Sequence, residues 1–273
     1  MTYRSILVHV EAGEAGEARL RCAAALADRF GALLTGCAAE MPPPVARDPF
    51  SPGAGEVLTS MIEKVEVRLA QAEKTFDNAA PAGRRRWIGA HNMPDEALAH
   101  AARAADIIVT GRPSSPATDP MRREDPGLLA VISGRPVLIA PPGLDYLKGE
   151  RIVVCWKDRR EANRAVLDAL PLLERADEVL VVEVAPAEEL VAAHQRAEDV
   201  AGFLREHGVR ATGEGLLRDS RRTATILQDR ASDFGADLLV SGGYGRSRLG
   251  EWAFGGVTKS LLDQDARFVL LSH

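Results

Sequence analysis

Hydrophobic residues in this chain fall into two patterns that alternate along it. Short apolar runs such as EVLVVEV at 178–184 predict buried β-strands, because a strand covered on both faces has almost no polar positions. Between them, stretches such as REANRAVLDALPLL at 160–173 place an apolar residue every three or four positions, which predicts an amphipathic helix. Such an alternation of strands and helices is typical of an α/β protein built from parallel βαβ units.

Further elements follow from the same patterns. In the second half we expect a helix over 186–207 that ends at Gly208, a weaker strand over 210–217, a helix capped by Asp219 or Ser220 that ends at Phe234, a helix over 256–263 and a last strand over 267–272. In the first half, the pattern predicts a charged helix over 56–76. The apolar face that we expect this helix to pack on the core consists of Val57, Met61, Val65, Leu69 and Ala72.

The chain also repeats itself. Four pairs of segments recur in the same order: ILVHVE at 6–11 and IVVCWK at 152–157, residues 25–39 and residues 170–185, ADIIVTG at 105–111 and ADLLVSG at 236–242, and RPVLI at 135–139 and RFVLL at 267–271. We therefore expect two tandem domains, a first half at 1–143 and a second half at 148–273. The join follows Ala140, where Pro141 and Pro142 stop the preceding strand.

Composition narrows the class of protein. The 273 residues carry a net charge of −5, which argues against a nucleic-acid-binding face. No apolar run reaches the ~20 residues that a membrane span needs, and the first residues lack the pattern of a secretory signal. Cys22, Cys37 and Cys155 have no metal-type spacing. We expect a soluble cytoplasmic protein with buried reduced thiols and neither a nucleic acid nor a membrane as partner.

The segment SGGYGRSRLGEWAFGGVT, residues 241–258, is rich in glycine and follows an apolar strand. In an open parallel sheet, ligands bind beyond the carboxyl ends of the strands, so this segment lies where a ligand would lie. It contains no GxxxxGK[ST] sequence, and Arg248 interrupts a GxGxxG motif. The pyrophosphatase loop SGGxDS also fails, because Gly245 stands at its aspartate.

The spacing that does fit is Gly242, two residues, Gly245, nine residues, Gly255. It resembles the nucleotide motif G-2x-G-9x-G-[S/T] of the universal stress protein family. The resemblance extends over the tandem repeat and the predicted helix over 160–173, which begins with the sequence REA. It implies two tandem Rossmann-like domains of the adenine-nucleotide α-hydrolase-like kind, each with a five-stranded parallel sheet in the order 3-2-1-4-5. The nucleotide would lie between the ends of strands one and four, where glycines allow close approach to phosphate.

Carried onto this sequence, the resemblance implies a site for ATP or another adenine nucleotide, with or without Mg²⁺, in the second half. Its residues would be Lys157, Asp158, Val184, Gly242, Gly245, Arg246, Gly255, Gly256, Val257 and Thr258. The sequence departs from the family twice. Gly256 replaces a hydroxyl residue, and Lys157 replaces an acidic residue that contacts ribose or metal. Lys157 could pair with phosphate, Asp158 could take the acidic role, or nucleotide binding could be weakened.

The first half keeps only Gly111 of the glycine motif, together with Glu11 at the acidic position, so we expect a degenerate domain. His9 is expected in the core, with a position facing the strand-end cleft as the alternative, and Trp156 is expected to pack between loop and sheet rather than to cover an adenine. No catalytic residue and no metal site is predicted, which favours a sensing role. A scaffold that binds no nucleotide and a slow ATPase are the alternatives. Resemblance to paired family domains implies an intramolecular pseudo-dimer through the last strands, 137–140 and 268–272, and leaves a homodimer open.

Overall fold

The computed structural model describes residues 2–11, 14–42, 54–80, 84–112, 124–243, 256–257, 260–261 and 266–273. The first half contains β1 (Ser5–His9), α1 (Glu14–Phe30), β2 (Leu33–Ala39), α2 (Ala54–Ala79), β3 (Arg85–Ala90), α3 (Pro94–Ala101), β4 (Ile107–Gly111), α4 (Pro126–Ser133) and β5 (Val137–Ala140). The second half contains β6 (Arg151–Cys155), α5 (Arg160–Leu173), β7 (Glu178–Ala185), α6 (Leu190–Glu206), β8 (Ala211–Leu217), α7 (Thr223–Phe234), β9 (Leu238–Gly242) and β10 (Phe268–Ser272).

The described strands form one sheet in the order β3-β2-β1-β4-β5-β10-β9-β6-β7-β8. Within each half all pairings are parallel, so each half has the strand order 3-2-1-4-5 that the sequence analysis expects. The fold is therefore α/β with two Rossmann-like sheets, and that prediction is confirmed. The domain limits at 143 and 148 stay predictions.

The two halves meet at β5 and β10, the last strand of each, which pair antiparallel with Leu270 opposite Leu138. The sequence analysis expected contact between these strands. Side chains reinforce the junction, because the Tyr3 hydroxyl donates to the Asp168 carbonyl oxygen at 2.7 Å and the Ser272 hydroxyl donates to the Asp168 carboxylate at 3.0 Å. The two sheets are thus continuous through main-chain hydrogen bonds.

Helices cover both faces of the sheet, and successive strand residues alternate between them. Ile152 and Val154 pack in the core beneath α1, α2, α5 and α6, whereas Val153 and Cys155 pack in the core beneath α3, α4 and α7. This arrangement explains why the strands have near-continuous apolar sequences. Cys22, Cys37 and Cys155 are buried, and none of them forms a disulfide within the described part of the chain.

Three predictions about the helices are wrong in detail. Helix α7 begins at Thr223 after Arg222, and neither Asp219 nor Ser220 caps it, because the Asp219 carboxylate accepts from the Arg221 backbone N–H and guanidinium instead. The stretch after Pro186 first forms a 3₁₀ turn, Ala187–Glu189, and α6 begins only at Leu190.

The third wrong prediction concerns the apolar face of α2. Val65, Leu69 and Ala72 are buried on the core as predicted. Val57 is 48% exposed and Met61 is only partly buried, so the first turns of the helix extend past the core. The apolar stripe therefore continues beyond the surface that it packs against.

Candidate functional site

The carboxyl ends of β6 and β9 form the candidate site of the second half. These neighbouring strands run parallel with Cys155 opposite Ser241, so Gly242 lies one residue and Lys157 two residues beyond that pair. Helix α5, which follows β6, packs on one face of the sheet, whereas Val257 and Leu261, which come after β9, pack on the other, so this edge is a topological switch point. The structure thus brings together Lys157 and Gly242, two of the residues predicted from the sequence.

Gly242 is required by packing at this edge. A Cβ at this position would lie 2.6 Å from the Ala162 nitrogen and from the Glu161 carbonyl carbon, both backbone atoms at the start of α5. Real Cβ atoms do not approach backbone so closely, and backbone cannot move aside as the end of a side chain can. The first glycine of the motif therefore has a structural role that does not depend on any ligand.

The Lys157 ammonium lies 3.2 Å from Oε1 of Glu183, which is fully buried near the end of β7. Arg196 of α6 donates to both oxygens of the same carboxylate, at 2.9 Å from Nε and 2.8 Å from Nη2. Burial alone raises the pKa of Glu183, but the hydrogen bonds from Arg196 and Lys157 outweigh burial and lower that pKa below its usual value. Sequence reasoning did not identify Glu183 or Arg196, because nothing in the local pattern marks a carboxylate inside an apolar strand as paired.

The charge of this group is net positive, because two cations share one carboxylate. The Lys157 side chain is 56% exposed, so its ammonium faces solvent on one side while Glu183 holds it on the other. The main cause that raises the pKa of Arg196 is the hydrogen bonding it donates to Glu183, and the charges of Glu189 and of the exposed Asp158 add to the increase. These two carboxylates offset the positive charge of the group, so it is the exposed Lys157 ammonium itself that can pair with an anion at this edge.

Of the remaining residues predicted for the site, the structure describes Val184, Gly256 and Val257. Val184 is partly buried and pairs with Leu216 of β8. Gly256 and Val257 are helical, and a Cβ on Gly256 would meet no atom within 4 Å, so a side chain fits there. Gly245, Arg246, Gly255 and Thr258 lie outside the described residues.

Trp156, expected to pack between loop and sheet, is buried at the carboxyl end of β6. Its indole Nε1 has no hydrogen-bond partner among the described residues.

The equivalent edge of the first half is occupied by ion pairs. The carboxylate of Glu124, just before α4, is 2.8 Å from Nδ1 of His9 at the end of β1, and it accepts from the backbone N–H of Gly111 at 3.2 Å. Arg19 of α1 lies 3.4 Å from the same carboxylate and donates to Glu11 at 2.9 Å. His9 is buried as predicted, but it is ion-paired rather than packed only among apolar groups.

Glu124 and Asp95 have opposite pKa shifts at this edge. Burial raises the pKa of Glu124, but the neighbouring His9 and Arg19 charges prevail and hold that pKa at about 2. Burial raises the pKa of Asp95 to about 6, and the charges of Asp125 and Glu124 add to the increase. Glu124 is therefore ionised at neutral pH, and Asp95 is an ionised carboxylate held at an energetic cost.

Two negative findings apply to the part of the chain that the structure describes. No group of three or more His, Cys, Asp and Glu side chains there is arranged to hold a metal ion. No helix there combines the length and apolar character needed to cross a membrane.

No protein-family model and no curated protein sequence matches this chain. Solved structures do match it over nearly its full length. A universal stress protein from Archaeoglobus fulgidus superposes with a TM-score of 0.67 at 14% identity, covering 98% of this chain and 97% of that chain. A functionally unknown protein from Pseudomonas aeruginosa gives 0.58 at 16%, covering 99% and 92%.

A second Pseudomonas aeruginosa structure, classed with the universal stress proteins, gives a TM-score of 0.60 at 17% identity, covering 99% of this chain and 93% of that chain. At such low identities the likeness concerns the fold. The chain has the fold of a universal stress protein, in two tandem halves.

Proposed function

We propose that this chain is a tandem universal stress protein whose second half binds an adenine nucleotide (ATP, ADP or AMP) in a sensing or regulatory role, without efficient catalysis. The observation that carries the proposal is the position of Lys157, whose solvent-facing ammonium follows the carboxyl end of β6, the strand that pairs with β9 and so lies next to the strand that ends at Gly242. The 2-then-9 glycine spacing that follows Gly242 supports it, since such loops bring backbone N–H groups to phosphate.

In this proposal Lys157 pairs with a nucleotide phosphate. Glu183 cannot fully neutralise the ammonium, because its two oxygens already accept from Arg196. A bound phosphate would pair with the exposed side of the ammonium, and Glu183 would keep Lys157 at the strand end while it does so. A lysine at this position does not favour a divalent cation, which takes oxygen ligands, so we propose that nucleotide binding does not require Mg²⁺.

The first half is proposed to be the degenerate partner, with domain limits at 1–143 and 148–273. The antiparallel pairing of β5 and β10 supports an intramolecular pseudo-dimer. A cytoplasmic location is part of the proposal, supported by three buried cysteines that form no disulfide within the described residues.

Isothermal titration calorimetry with ATP, ADP and AMP, in EDTA and in Mg²⁺, tests the proposal. We expect one nucleotide per chain, and a loss of affinity of about tenfold (~1.4 kcal/mol) in Lys157→Ala. The matched control is Lys148→Ala, because Lys148 is an exposed lysine in the segment between the halves. Binding that survives Lys157→Ala unchanged would contradict the role of Lys157.

A scaffold that binds no nucleotide is the second candidate, favoured by the engagement of Lys157 with Glu183 and by Gly256 in place of a hydroxyl residue. No heat of binding and no thermal stabilisation at millimolar nucleotide would favour it. Rapid release of phosphate or pyrophosphate from bound ATP would instead make the protein an enzyme, against the proposal.

A further inference from the structure

The carboxyl edge of the first half gathers donors from three different elements around one carboxylate. The backbone N–H of Gly111 at the end of β4, the guanidinium of Arg19 on α1 and the imidazole of His9 at the end of β1 all lie within 3.4 Å of Glu124 oxygens. Nδ1 of His9 lies 2.8 Å from Oε2 of Glu124, which is an ion-pair distance, although this nitrogen makes no hydrogen bond among the described residues. Main-chain N–H, guanidinium and imidazole donors together form the kind of site that binds oxyanions.

This site is deeply buried. Glu124 is 5% exposed, and Arg19 and His9 are less exposed still. Burying a guanidinium is unfavourable unless anions compensate it, so Arg19 depends on Glu124 together with Glu11. Glu124 belongs to none of the strands that form the edge. It lies on the chain just before α4, so the anion is supplied by a separate segment.

The donors exceed what a carboxylate can satisfy. Nε of Arg19 is buried and has no hydrogen-bond partner among the described residues. The same is true of Oγ1 of Thr110, which directly precedes Gly111 and is fully buried. Residue alternation in β4 turns Thr110 toward the same face as Ile108, beneath α3 and α4. Because the Arg19 guanidinium that contacts Glu124 has a buried N–H to spare, an anion with more oxygens can use the site more fully.

Gly111 occupies the same place in the first half as Gly242 in the second, at the end of the strand that pairs with the first strand of its sheet. In the first half, a Cβ on that glycine would collide with the Arg19 guanidinium rather than with helix backbone. The glycine therefore gives the arginine access to the strand end. The first half has lost most of its glycine motif, yet it has kept a cationic site at the equivalent edge.

We propose that this edge is an oxyanion site that the chain's own Glu124 carboxylate occupies, and that a free phosphate or sulfate ion binds there when the carboxylate is removed. The first half is thus closed to external anions by its own chain and not by a lack of donors. Asp95 is the opposing charge nearby, and as an ionised carboxylate it favours a singly charged anion over a doubly charged one.

The test uses the full chain with Glu124→Ala, which vacates the site, and Glu124→Gln, which fills it without charge. Thermal unfolding is followed in inorganic phosphate and in chloride of equal ionic strength. We expect Glu124→Ala to be less stable than wild type in chloride. Phosphate at ten times its dissociation constant should shift the unfolding equilibrium of this variant about tenfold more than that of wild type or Glu124→Gln.

Two comparisons make the result specific. The double variant Arg19→Met with Glu124→Ala lacks the guanidinium and should lose the additional phosphate response. Any anion bound by the second half stabilises wild type and variants alike, so it cancels in the difference. An equal phosphate response in Glu124→Ala and wild type, or in Glu124→Ala and the double variant, would overturn the proposal.

If Glu124→Ala does not fold in chloride, circular dichroism should show phosphate-dependent folding, and failure of phosphate and sulfate to restore folding would overturn the proposal as well.

Discussion

Arg196 on α6 donates to both carboxylate oxygens of Glu183, a side chain with no exposed surface in the middle of a parallel sheet. The pair links a helix on one face of the sheet to the strand end beside the candidate nucleotide site. Lys157 contacts the same carboxylate, so the position of its ammonium at the candidate site depends on the buried charge of Glu183.

Replacing Glu183 with Gln should destabilise the protein by ~1–3 kcal/mol at pH 7, because two cations lose the buried negative charge that compensates them. The loss stays below that of a fully buried pair, since Arg196 and Lys157 are partly exposed and can be hydrated. Urea denaturation measures the difference. The control is Glu178→Gln, which breaks an exposed ion pair with Arg151 and should cost less than ~1 kcal/mol.

The sign of the pH dependence follows from the lowered pKa of Glu183. A group whose folded pKa lies below its unfolded value stabilises the protein above the unfolded value, near 4.5, and this contribution is lost as the pH falls below it. The stability difference between wild type and Glu183→Gln should therefore be full at pH 7 and shrink progressively below about pH 4.5. A difference that is constant from pH 7 to pH 3 would contradict this electrostatic origin.

Asp95→Asn should make the protein more stable at neutral pH. Burial raises the pKa of Asp95 from 3.8 to about 6, so the ionised form is penalised above pH 6 and the penalty disappears below pH 3.8. An asparagine keeps the oxygen that accepts from the Asp125 backbone N–H at 2.8 Å. We expect a gain of roughly 1 kcal/mol at pH 8, after allowance for the partial exposure of Asp95, and none at pH 3.5.

Unfolding temperatures at the two pH values measure this effect, with Asp77→Asn at an exposed ion pair as the control. A stabilisation that persists at pH 3.5 would mean that packing or helix propensity, and not ionisation, is responsible.

The fold could be predicted from the local sequence pattern, whereas the ion pairs around Glu124 and Glu183 could not. Apolar periodicity and the repeat predicted the α/β class, and the strand order followed from the family resemblance that the repeat supports. The contacts around Glu124 and Glu183 join residues up to 105 positions apart, and side-chain pairing at that distance leaves no periodic signal. The cap of α7 was mispredicted for a related reason, because Asp219 prefers the neighbouring Arg221 to the helix N-terminus.

Gly242→Ala should destabilise the protein by ~1–3 kcal/mol in the absence of any nucleotide, because the new Cβ would overlap backbone at the start of α5. Gly202→Ala is the matched control. Gly202 lies inside α6, and a Cβ there would make only an ordinary contact with Arg205, so helix propensity should stabilise the variant by up to ~1 kcal/mol. Chemical denaturation of both variants without nucleotide measures the effect. If Gly242→Ala has the same free energy of unfolding as wild type, packing does not require a glycine at this position.

Gly256→Ser should strengthen nucleotide binding in the second half. The position is exposed and helical, and a Cβ there meets no atom within 4 Å, so the side chain enters without displacing anything. A hydroxyl at this position can donate to a phosphate oxygen, and a hydrogen bond to a charged acceptor contributes ~1.5 kcal/mol or more, which corresponds to about a tenfold gain in affinity. Gly256→Ala provides the control, since it shares the gain in helix propensity but has no donor. Calorimetric titration of ATP into the three proteins separates the contributions. Equal affinity in the serine and alanine variants would show that the phosphate does not reach this helix, and would place the nucleotide elsewhere on the edge that Lys157 and Gly242 form.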